Sequence, residues 1–295
     1  MTHSVASELE TLEIPIADVR RIVATALAED LGSGDVTTDN LVPADTMARA
    51  AVAYRSGGVV CGNGVLAEVF RALDGEHVAP STTAALVRGP ARGILKGERV
   101  ALNFVQRMAA IATATARYVA AVEGLPVHVI DTRKTTPGLR PLERYAVRVG
   151  GGRNHRYNLS DAVLVKDNHL VALRNQGIGT VQALRQLRDR IPHTMRMQVE
   201  VDRLDQIPEM IEAGVDAILF DNMTPDQVRE GVRMIAGRAI TEVSGGVTLQ
   251  TVRSYAEAGV NVVSSGALTH STPALDVGLD FELPAIPRLS PLDEG

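Results

Sequence analysis

The chain is poor in several features that would place it in a particular class of protein. It has 295 residues but one cysteine, Cys61, so it cannot build an internal disulfide framework. No stretch offers the roughly 18 uninterrupted apolar residues that a membrane helix requires. The first residues are neither basic nor followed by a long apolar segment, so they do not resemble a signal peptide. These absences predict a cytoplasmic globular protein that does not act at a membrane.

Positive charge is also limited, and it is almost entirely arginine. The net charge is −5, which argues against nucleic acid as the main partner. Of the 30 basic residues, only Lys96, Lys134 and Lys166 are lysines. A lysine in this chain therefore indicates a place where a compact ammonium is needed instead of a planar guanidinium.

The positive charge that is present is concentrated in one segment. Between residues 131 and 166, eight basic residues face three acids. The eight are Arg133, Lys134, Arg140, Arg144, Arg148, Arg153, Arg156 and Lys166. Some of Arg140, Arg144 and Arg148 fit a solvated helix face, but the others lie beside apolar or glycine-rich stretches. A local positive region in an acidic protein predicts a small anionic ligand.

The pattern of apolar residues changes after Leu125. Before it, we expect a helix at 17–31, short strands and turns over 47–95 around a helix near 63–73, and a long helix at 97–123. After it, short apolar runs alternate with amphipathic stretches, which indicates parallel strands joined by helices. The six runs are 127–130, 162–165, 196–201, 217–220, 239–243 and 261–263.

The positions of the polar residues distinguish a barrel from an open sheet. Asp131, Lys166, Glu200, Asp221 and Ser244 each lie at or just past the end of an apolar run. A barrel gathers the carboxyl ends of all its strands into one mouth, whereas an open sheet gathers only those at its switch point. The sequence therefore favours an α/β barrel.

Two carboxylates at this mouth predict a metal site. Glu200 and Asp221 follow neighbouring runs, and such a pair can hold Mg²⁺ together with a phosphorylated substrate. The alternative is that they cap the helices that follow, although Thr224, just before Pro225, fits that role after Asp221.

Small residues after the last two runs indicate an anion site. The segments SGG (244–246) and SSGALTHS (264–271) expose backbone N–H groups that can face a phosphate, or they are tight turns without a ligand. The segment GGGRNHR (150–156) adds His155 and Arg156, of which the arginine can fork onto a carboxylate. His169 is a less favoured candidate, because its position also fits a residue at the start of a helix.

Lys166 allows two functional interpretations. A lysine at a strand end can form a Schiff base, as in some barrel aldolases. It can also be an electrostatic ligand for an anion. The neighbouring Arg133, Lys134 and Arg156 favour the anion.

Several of these segments, taken in order, resemble one known family, that of quinolinate phosphoribosyltransferase. This enzyme is also called carboxylating nicotinate-nucleotide pyrophosphorylase, and it is a type II phosphoribosyltransferase. The resemblance extends from about residue 17 to about residue 280 of the chain. The segments are DTRKTTPGLR (131–140), GGRNHR, LVKDNH (164–169), VEVD (199–202), LFDN (219–222), SGG and SSGALTHS, preceded by EDLGSGDVTT (29–38), GVVCG (58–62) and GERVALN (97–103).

The resemblance implies a fold and a reaction. The fold is an N-terminal α/β sandwich domain followed by an incomplete α/β barrel with fewer than eight strands. We place the first domain at 1–124, with C-terminal residues as an optional completion of it, the barrel at 125–280, and a proline-rich tail at 281–295. The reaction joins quinolinate to phosphoribosyl pyrophosphate (PRPP) and yields nicotinate mononucleotide, pyrophosphate and CO₂, in de novo NAD biosynthesis.

The resemblance also implies roles for individual residues. Quinolinate carboxylates and substrate phosphates would be bound by Thr132, Arg133, Lys134, His155, Arg156 and Lys166. Glu200 and Asp221 would act on the ribose hydroxyls and Mg²⁺, so the catalytic set is Lys134, Lys166, Glu200 and Asp221. The 5′-phosphate would be held by Ser244, Gly245, Gly246, Ser265, Gly266 and Ala267, with His270 close by. Arg99 would reach the site of a second subunit in a homodimer.

Alternatives remain open from the sequence. One is the pyrophosphorylase-like relative that is associated with molybdenum transport. Another is a Schiff-base barrel lyase that uses Lys166, and a third is an anion-binding protein without catalysis. The last leaves Glu200 and Asp221 beside an anion site without a reason for the repulsion.

Overall fold

The structure is a computed structural model that describes residues 14–74, 77–80, 84–174 and 177–282. The chain divides into two compact units. The first contains the described residues up to Ala110 together with those from Pro273 onward, and the second is Ile111–Thr272. Among the described residues, no helix combines the length and the apolar character needed to cross a membrane.

The first unit is built on an antiparallel sheet of four strands. Its strand order is β10-β1-β3-β2, so the last strand of the chain pairs with the first. The strands are β1 (Met47–Tyr54), β2 (His77–Pro80), β3 (Ala84–Pro90) and β10 (Val277–Glu282). The helices are α1 (Ile16–Leu31), α2 (Val36–Leu41), α3 (Asn63–Asp74) and the start of α4 (Ala91–Ala121).

Two local expectations differ from this unit. Residues 57–62, within the stretch predicted as short strands and turns, have no regular structure. Helix α4 begins at Ala91 and not near residue 97, directly after Pro90 ends the strand.

The predicted domain limits were 124/125 and 280/281, whereas the compact units divide at 110/111 and 272/273. Residues 283–295 of the predicted tail lie outside the described part of the chain.

The second unit contains a parallel sheet of six strands with the order β4-β9-β8-β7-β6-β5. The strands are β4 (His128–Ile130), β5 (Val163–Val165), β6 (Met197–Val201), β7 (Ala217–Asp221), β8 (Ile240–Ser244) and β9 (Val262–Ser264). All six predicted runs are strands, within one or two residues. The helices after α4 are α5 (Arg140–Val149), α6 (Asp167–Arg174), α7 (Thr180–Arg190), α8 (Ile207–Glu212), α9 (Pro225–Ile235), α10 (Val252–Glu257) and α11 (Ala267–His270).

The strand order is that of an incomplete barrel. The first strand, β4, pairs with the last, β9, as it does when a sheet curls on itself and not in an open sheet. In the described residues, β4 and β5 do not pair, so the barrel is open between them. Arg153 forms an isolated bridge with Ile130 on the free edge of β4. The fold predicted from the sequence is confirmed.

The two faces of the sheet have different chemistry because successive side chains of a strand alternate. Val199, Val201, Phe220 and Val243 are almost fully buried in the core beneath the helices. The intervening residues therefore face the interior of the barrel, with Glu200 and Asp221 at the carboxyl ends of their strands. One alternation thus puts the core on one side and the candidate site on the other.

Candidate active site

The site is organised around Asp131, which is fully buried just past the end of β4. Its Oδ1 accepts a hydrogen bond of 2.7 Å from the backbone N–H of His155, and its Oδ2 accepts one of 2.6 Å from the side-chain amide of Asn154. The guanidinium of Arg144 lies 3.6 Å from Oδ1. One carboxylate thereby holds the loop that carries His155 and Arg156.

Burial dominates the electrostatics of this pair. It raises the pKa of Asp131, and the charge of Arg144 and the bonds from His155 and Asn154 offset only part of that rise. Burial also lowers the pKa of Arg144, although Asp131 opposes that change. Removing two charges from water costs more free energy than their attraction contributes. The pair therefore orders the loop more than it stabilises the fold.

The arginines of α5 do not form a solvated face. Arg140 donates to the carbonyl of Tyr157 at 3.1 Å, Arg144 to the carbonyl of Arg156 at 3.2 Å, and Arg148 to the side chain of Asn154 at 2.7 Å. The interpretation of these residues as surface charges was wrong, because helical spacing turns all three toward the loop. Sequence reasoning missed the role of Arg144, for which an acid at the nearby strand end was the available signal.

The glycines before this loop are required by close packing. A Cβ on Gly150 would lie 2.4 Å from the carbonyl oxygen of Ala112, and one on Gly152 would lie 2.7 Å from Cγ2 of Thr115. Both neighbours belong to α4. Gly151 between them has a φ of 84°, in the left-handed region. The loop thus reaches Asp131 only because its backbone touches the helix.

Three of the predicted cations share one cavity of about 410 Å³. It is lined by Arg133, Arg156, Leu159, Ala162, Val163, Leu164, Lys166 and His169. Burial lowers the pKa of Arg156, and the positive charge of Arg133 lowers it further. An anion between these guanidinium groups would remove that repulsion, so the cavity is suited to a ligand with carboxylates or phosphates.

The lysine and the two acids occupy the strand ends as expected. Nζ of Lys166 lies 2.9 Å from Oε2 of Glu200, and the lysine side chain is 46% exposed. Asp221 accepts a 2.9 Å hydrogen bond from the amide of Asn222. Neither acid caps a helix. Thr224 is the N-cap of α9, and its hydroxyl accepts from the N–H of Gln227.

These residues fit a hard divalent cation. The register sets Glu200 opposite Leu219, so Asp221 lies on the same inner face, one strand over and two residues further along. Among the described residues, no three side chains of His, Cys, Asp or Glu cluster as a metal cage. Two carboxylates without a cage suit Mg²⁺, which keeps waters and binds substrate phosphates.

The small-residue turns lie against the predicted cations. A Cβ on Gly266 would meet Nε2 of His270 at 2.9 Å and Cδ of Lys134 at 3.0 Å, so these three residues are neighbours. The hydroxyl of Thr269 donates to the carbonyl of Lys134 at 2.7 Å, and Ser265 donates its N–H to the carbonyl of Ile130 at 3.1 Å.

The other turn follows β8. It contains Ser244, Gly245 and Gly246, and a Cβ on Gly245 would overlap the amide of Asn222, next to Asp221. Ala267 begins α11. Thr132 accepts a 3.1 Å hydrogen bond from the N–H of Lys134. The turns therefore belong to the same set of strand ends as the carboxylates.

Arg99 and His169 are two further residues that the sequence singled out. Arg99 is exposed on α4, in the first unit. His169 accepts a 2.9 Å hydrogen bond at Nδ1 from the N–H of Lys166, which gives it a local structural role at the start of α6 in addition to its place in the cavity wall.

An incomplete barrel with cations, carboxylates and small-residue turns at its strand ends defines an anion-binding α/β-barrel protein. Comparison with protein-family models narrows the class. Residues 111–280 match the quinolinate phosphoribosyl transferase C-terminal domain, and residues 35–109 match the N-terminal domain of the same family. The chain belongs to the quinolinate phosphoribosyl transferase family.

Individual relatives agree along nearly the whole chain. The nicotinate-nucleotide pyrophosphorylase [carboxylating] of Mycobacterium leprae is 42% identical, over 89% of this chain and 96% of the relative. The probable enzyme of the same name from Bacillus subtilis is 37% identical, over 90% of this chain and 94% of the relative. The solved structure of the nicotinate-nucleotide pyrophosphorylase from Francisella tularensis superposes with a TM-score of 0.83, at 32% identity, and covers 92% of this chain and 98% of that one.

Substitution of Arg144 by Met should give a loss of stability that depends on pH. Without the guanidinium, the pKa of Asp131 rises further above its unfolded value, so the folded protein holds that proton to higher pH than the unfolded chain does. The free energy of unfolding should therefore fall more, relative to the unsubstituted protein, as pH rises. Urea unfolding should show a loss of about 3 kcal/mol near pH 8 and a smaller loss near pH 5.

Arg148→Met is the matched control. Its hydrogen-bond partner Asn154 is neutral, so its effect should change less between the two pH values than that of Arg144→Met. An Arg144→Met variant with equal losses at both would contradict the assignment of a buried charge pair.

Proposed function

We propose that this chain transfers the phosphoribosyl group of PRPP to quinolinate, with loss of CO₂, and so forms nicotinate mononucleotide and pyrophosphate in de novo NAD biosynthesis. The observation that carries the proposal is the cavity lined by Arg133, Arg156 and Lys166, in which the lysine is paired with Glu200. Membership of the family supports it. Relatives in Nicotiana carry the name quinolinate phosphoribosyltransferase [decarboxylating].

The cations bind and orient a substrate with several negative charges. Quinolinate has two carboxylates and PRPP has a phosphate and a pyrophosphate, which repel one another in the absence of counter-charge. Arg133 and Arg156 suit the planar carboxylates, because a guanidinium forks onto them with two hydrogen bonds. Lys134 and Lys166 suit point contacts with phosphate or carboxylate oxygens.

The reaction depends on positioning and charge. The ring nitrogen of quinolinate forms a bond to C1′ of the ribose while the C1′–oxygen bond to pyrophosphate breaks, through a ribose with oxocarbenium character. The carbon–carbon bond to the neighbouring carboxylate then breaks and releases CO₂, and the electron pair left on the ring carbon takes up a proton. Fixed charges that need no reorganisation are the means by which such a step is accelerated.

Glu200 and Asp221 are the residues that would hold Mg²⁺ and the ribose hydroxyls. The ion would supply neutralisation of the pyrophosphate as it leaves. The salt bridge between Lys166 and Glu200 keeps the carboxylate oriented toward the site before substrate binds. Asp221 pairs in register with Ser244, which precedes Gly245, so its carboxylate would lie where ribose and 5′-phosphate adjoin.

The proposal also includes a homodimer whose active sites are shared. Arg99 is exposed, and its side chain would contribute a further cation to the site of the second subunit. This would bring a contact from the first unit of one chain to the barrel of another.

The purified protein should form nicotinate mononucleotide from quinolinate and PRPP. Equal amounts of CO₂ and pyrophosphate should appear, because each turnover breaks both bonds. Chromatography and trapping of labelled CO₂ measure the products. Chelation by EDTA should stop turnover, and added Mg²⁺ should restore it.

Nicotinate is the control substrate, because it lacks the carboxylate that is lost. Equal rates with nicotinate and quinolinate would contradict the proposal. A protein that is inactivated by borohydride in the presence of a carbonyl substrate would instead support the Schiff-base lyase.

Lys134→Arg and Lys166→Arg should each lower kcat/KM by about tenfold or more. The longer, planar guanidinium does not fit beside Gly266 in the first case or retain the single contact with Glu200 in the second. Steady-state kinetics with both substrates measure the effect. Lys96→Arg, whose ammonium pairs with Asp39 in the first unit at 2.6 Å, is the matched control. Unchanged kinetics in both site variants would refute the need for an ammonium.

A shared site predicts complementation between inactive variants. Arg99→Ala and Lys166→Ala should each have little activity alone, since each removes a cation from every site. Random mixing of equal amounts, after dissociation and reassociation, should restore about a quarter of normal activity, because half of the dimers then have one intact site. Absence of any recovery, with subunit exchange verified by mass spectrometry, would exclude the shared site.

A further inference from the structure

Glu242 is a buried acid that the sequence interpretation passed over. It lies in the middle of β8, within a run that we treated only as a strand. The register sets it beside Leu219 of β7 and Val262 of β9. Its Oε2 accepts a 2.8 Å hydrogen bond from the amide of Gln198. The side chain therefore points into the barrel, below the strand ends.

The second oxygen of this carboxylate has no hydrogen-bond partner in the part of the chain that the structure describes. The Glu242 side chain is only 6% exposed, and its Oε1 accepts no hydrogen bond from the described residues. A buried carboxylate oxygen without a donor is costly, and a position that served only packing would be filled better by an apolar side chain. Such a group indicates that the site uses the oxygen.

The group closest to this oxygen is the imidazole of His155. Its Nε2 lies 3.6 Å from Oε1, beyond the length of a hydrogen bond. Its Nδ1 accepts a 2.7 Å hydrogen bond from the backbone N–H of Arg156, so Nδ1 carries no proton. The ring proton is therefore on Nε2, the atom nearer to Glu242.

The imidazole of His155 connects Glu242, inside the barrel, with Arg156, in the wall of the cavity. Arg156, whose N–H is fixed by the ring, lines the cavity with its guanidinium and donates to the carbonyl of Ala162 at 2.7 Å. Asp131 holds the same loop by the N–H of His155. Asp131 thus holds the backbone of the loop, whereas Nε2 of the His155 ring is not within hydrogen-bond distance of Glu242.

We propose that Glu242 is a positioning residue for quinolinate, which acts through His155. When quinolinate binds, Oε1 accepts the Nε2–H of His155, and this fixes the ring and the backbone of Arg156 against the substrate carboxylate. Nε2 of His155 and Oε1 of Glu242 are 3.6 Å apart, so they must approach each other to form this hydrogen bond. Hydrogen bonds at active sites often shorten in this way only when the substrate is bound. The inference rests on the proposed function for its ligand, and on the orphaned oxygen for its geometry.

Two substitutions of Glu242 distinguish the loss of its hydrogen-bond acceptor from the loss of its negative charge. Glu242→Met removes the acceptor, and it should raise KM for quinolinate by about tenfold while KM for PRPP changes by less than about twofold. Glu242→Gln can still accept from His155 if its amide nitrogen turns to the oxygen of Gln198, so it should retain KM within about threefold. Neither substitution should lower Tm, because both remove a buried negative charge.

Glu68→Gln is the matched control. Glu68 is a buried acid of the first unit that is paired with Arg20 and Arg71. Its loss should lower Tm and leave both KM values unchanged, the reverse of the pattern at Glu242. A Glu242→Met variant with both KM values unchanged, or with both raised together and Tm lowered, would overturn the proposal.

Nitrogen-15 NMR of labelled histidine tests the contact without relying on variants that fold. In the unsubstituted protein, His155 should be the Nε2–H tautomer, and its Nε2 proton should move downfield when quinolinate is added. His155→Gln identifies its signal among the seven histidines. An Nδ1–H tautomer, or a signal unmoved by quinolinate that the protein turns over, would overturn the role of Glu242. A protein that turns over no quinolinate would instead refute the proposed function.

Discussion

At the end of β4, the buried carboxylate of Asp131 accepts hydrogen bonds from a neighbouring loop and lies beside a guanidinium from α5. The loop has no regular structure of its own, so its conformation depends on these bonds. His155 and Arg156 face the site because Asn154 and the N–H of His155 are held at this oxygen pair. The remaining geometry of the cation cavity follows from this anchor, even though the buried charges themselves cost free energy.

The site around this anchor separates charges that would otherwise repel. Arg133 and Arg156 face one cavity, and burial together with the positive charge of Arg133 lowers the pKa of Arg156. Lys166 is paired with Glu200 before any ligand is present, so the strand ends already alternate in sign. A substrate with several negative charges meets groups whose positions need little reorganisation.

Stability and function make different demands on the same strands. On β6 and β7, the residues facing the helices are apolar and fully buried, as Val199 and Phe220 are. The residues facing the interior include acids such as Glu242, whose Oε1 accepts no hydrogen bond from the described residues, which lowers stability. The alternation of side chains along a strand allows both demands to be met by one short segment.

The sequence by itself determined the elements of the barrel and most of the residues at its mouth. Short apolar runs, separated by amphipathic helices, are local patterns, and all six runs are strands. Polar residues at the ends of parallel strands must lie at one edge, so Lys166, Glu200 and Asp221 could be placed without coordinates. The pairing of β4 with β9, the pairing of β10 with β1 and the roles of Arg144 and Glu242 were decided by the tertiary structure. Each depends on contacts between residues far apart in the chain, which periodicity does not encode. Whether an arginine on a helix or an acid on a strand meets solvent or a buried partner is therefore settled only when the elements pack.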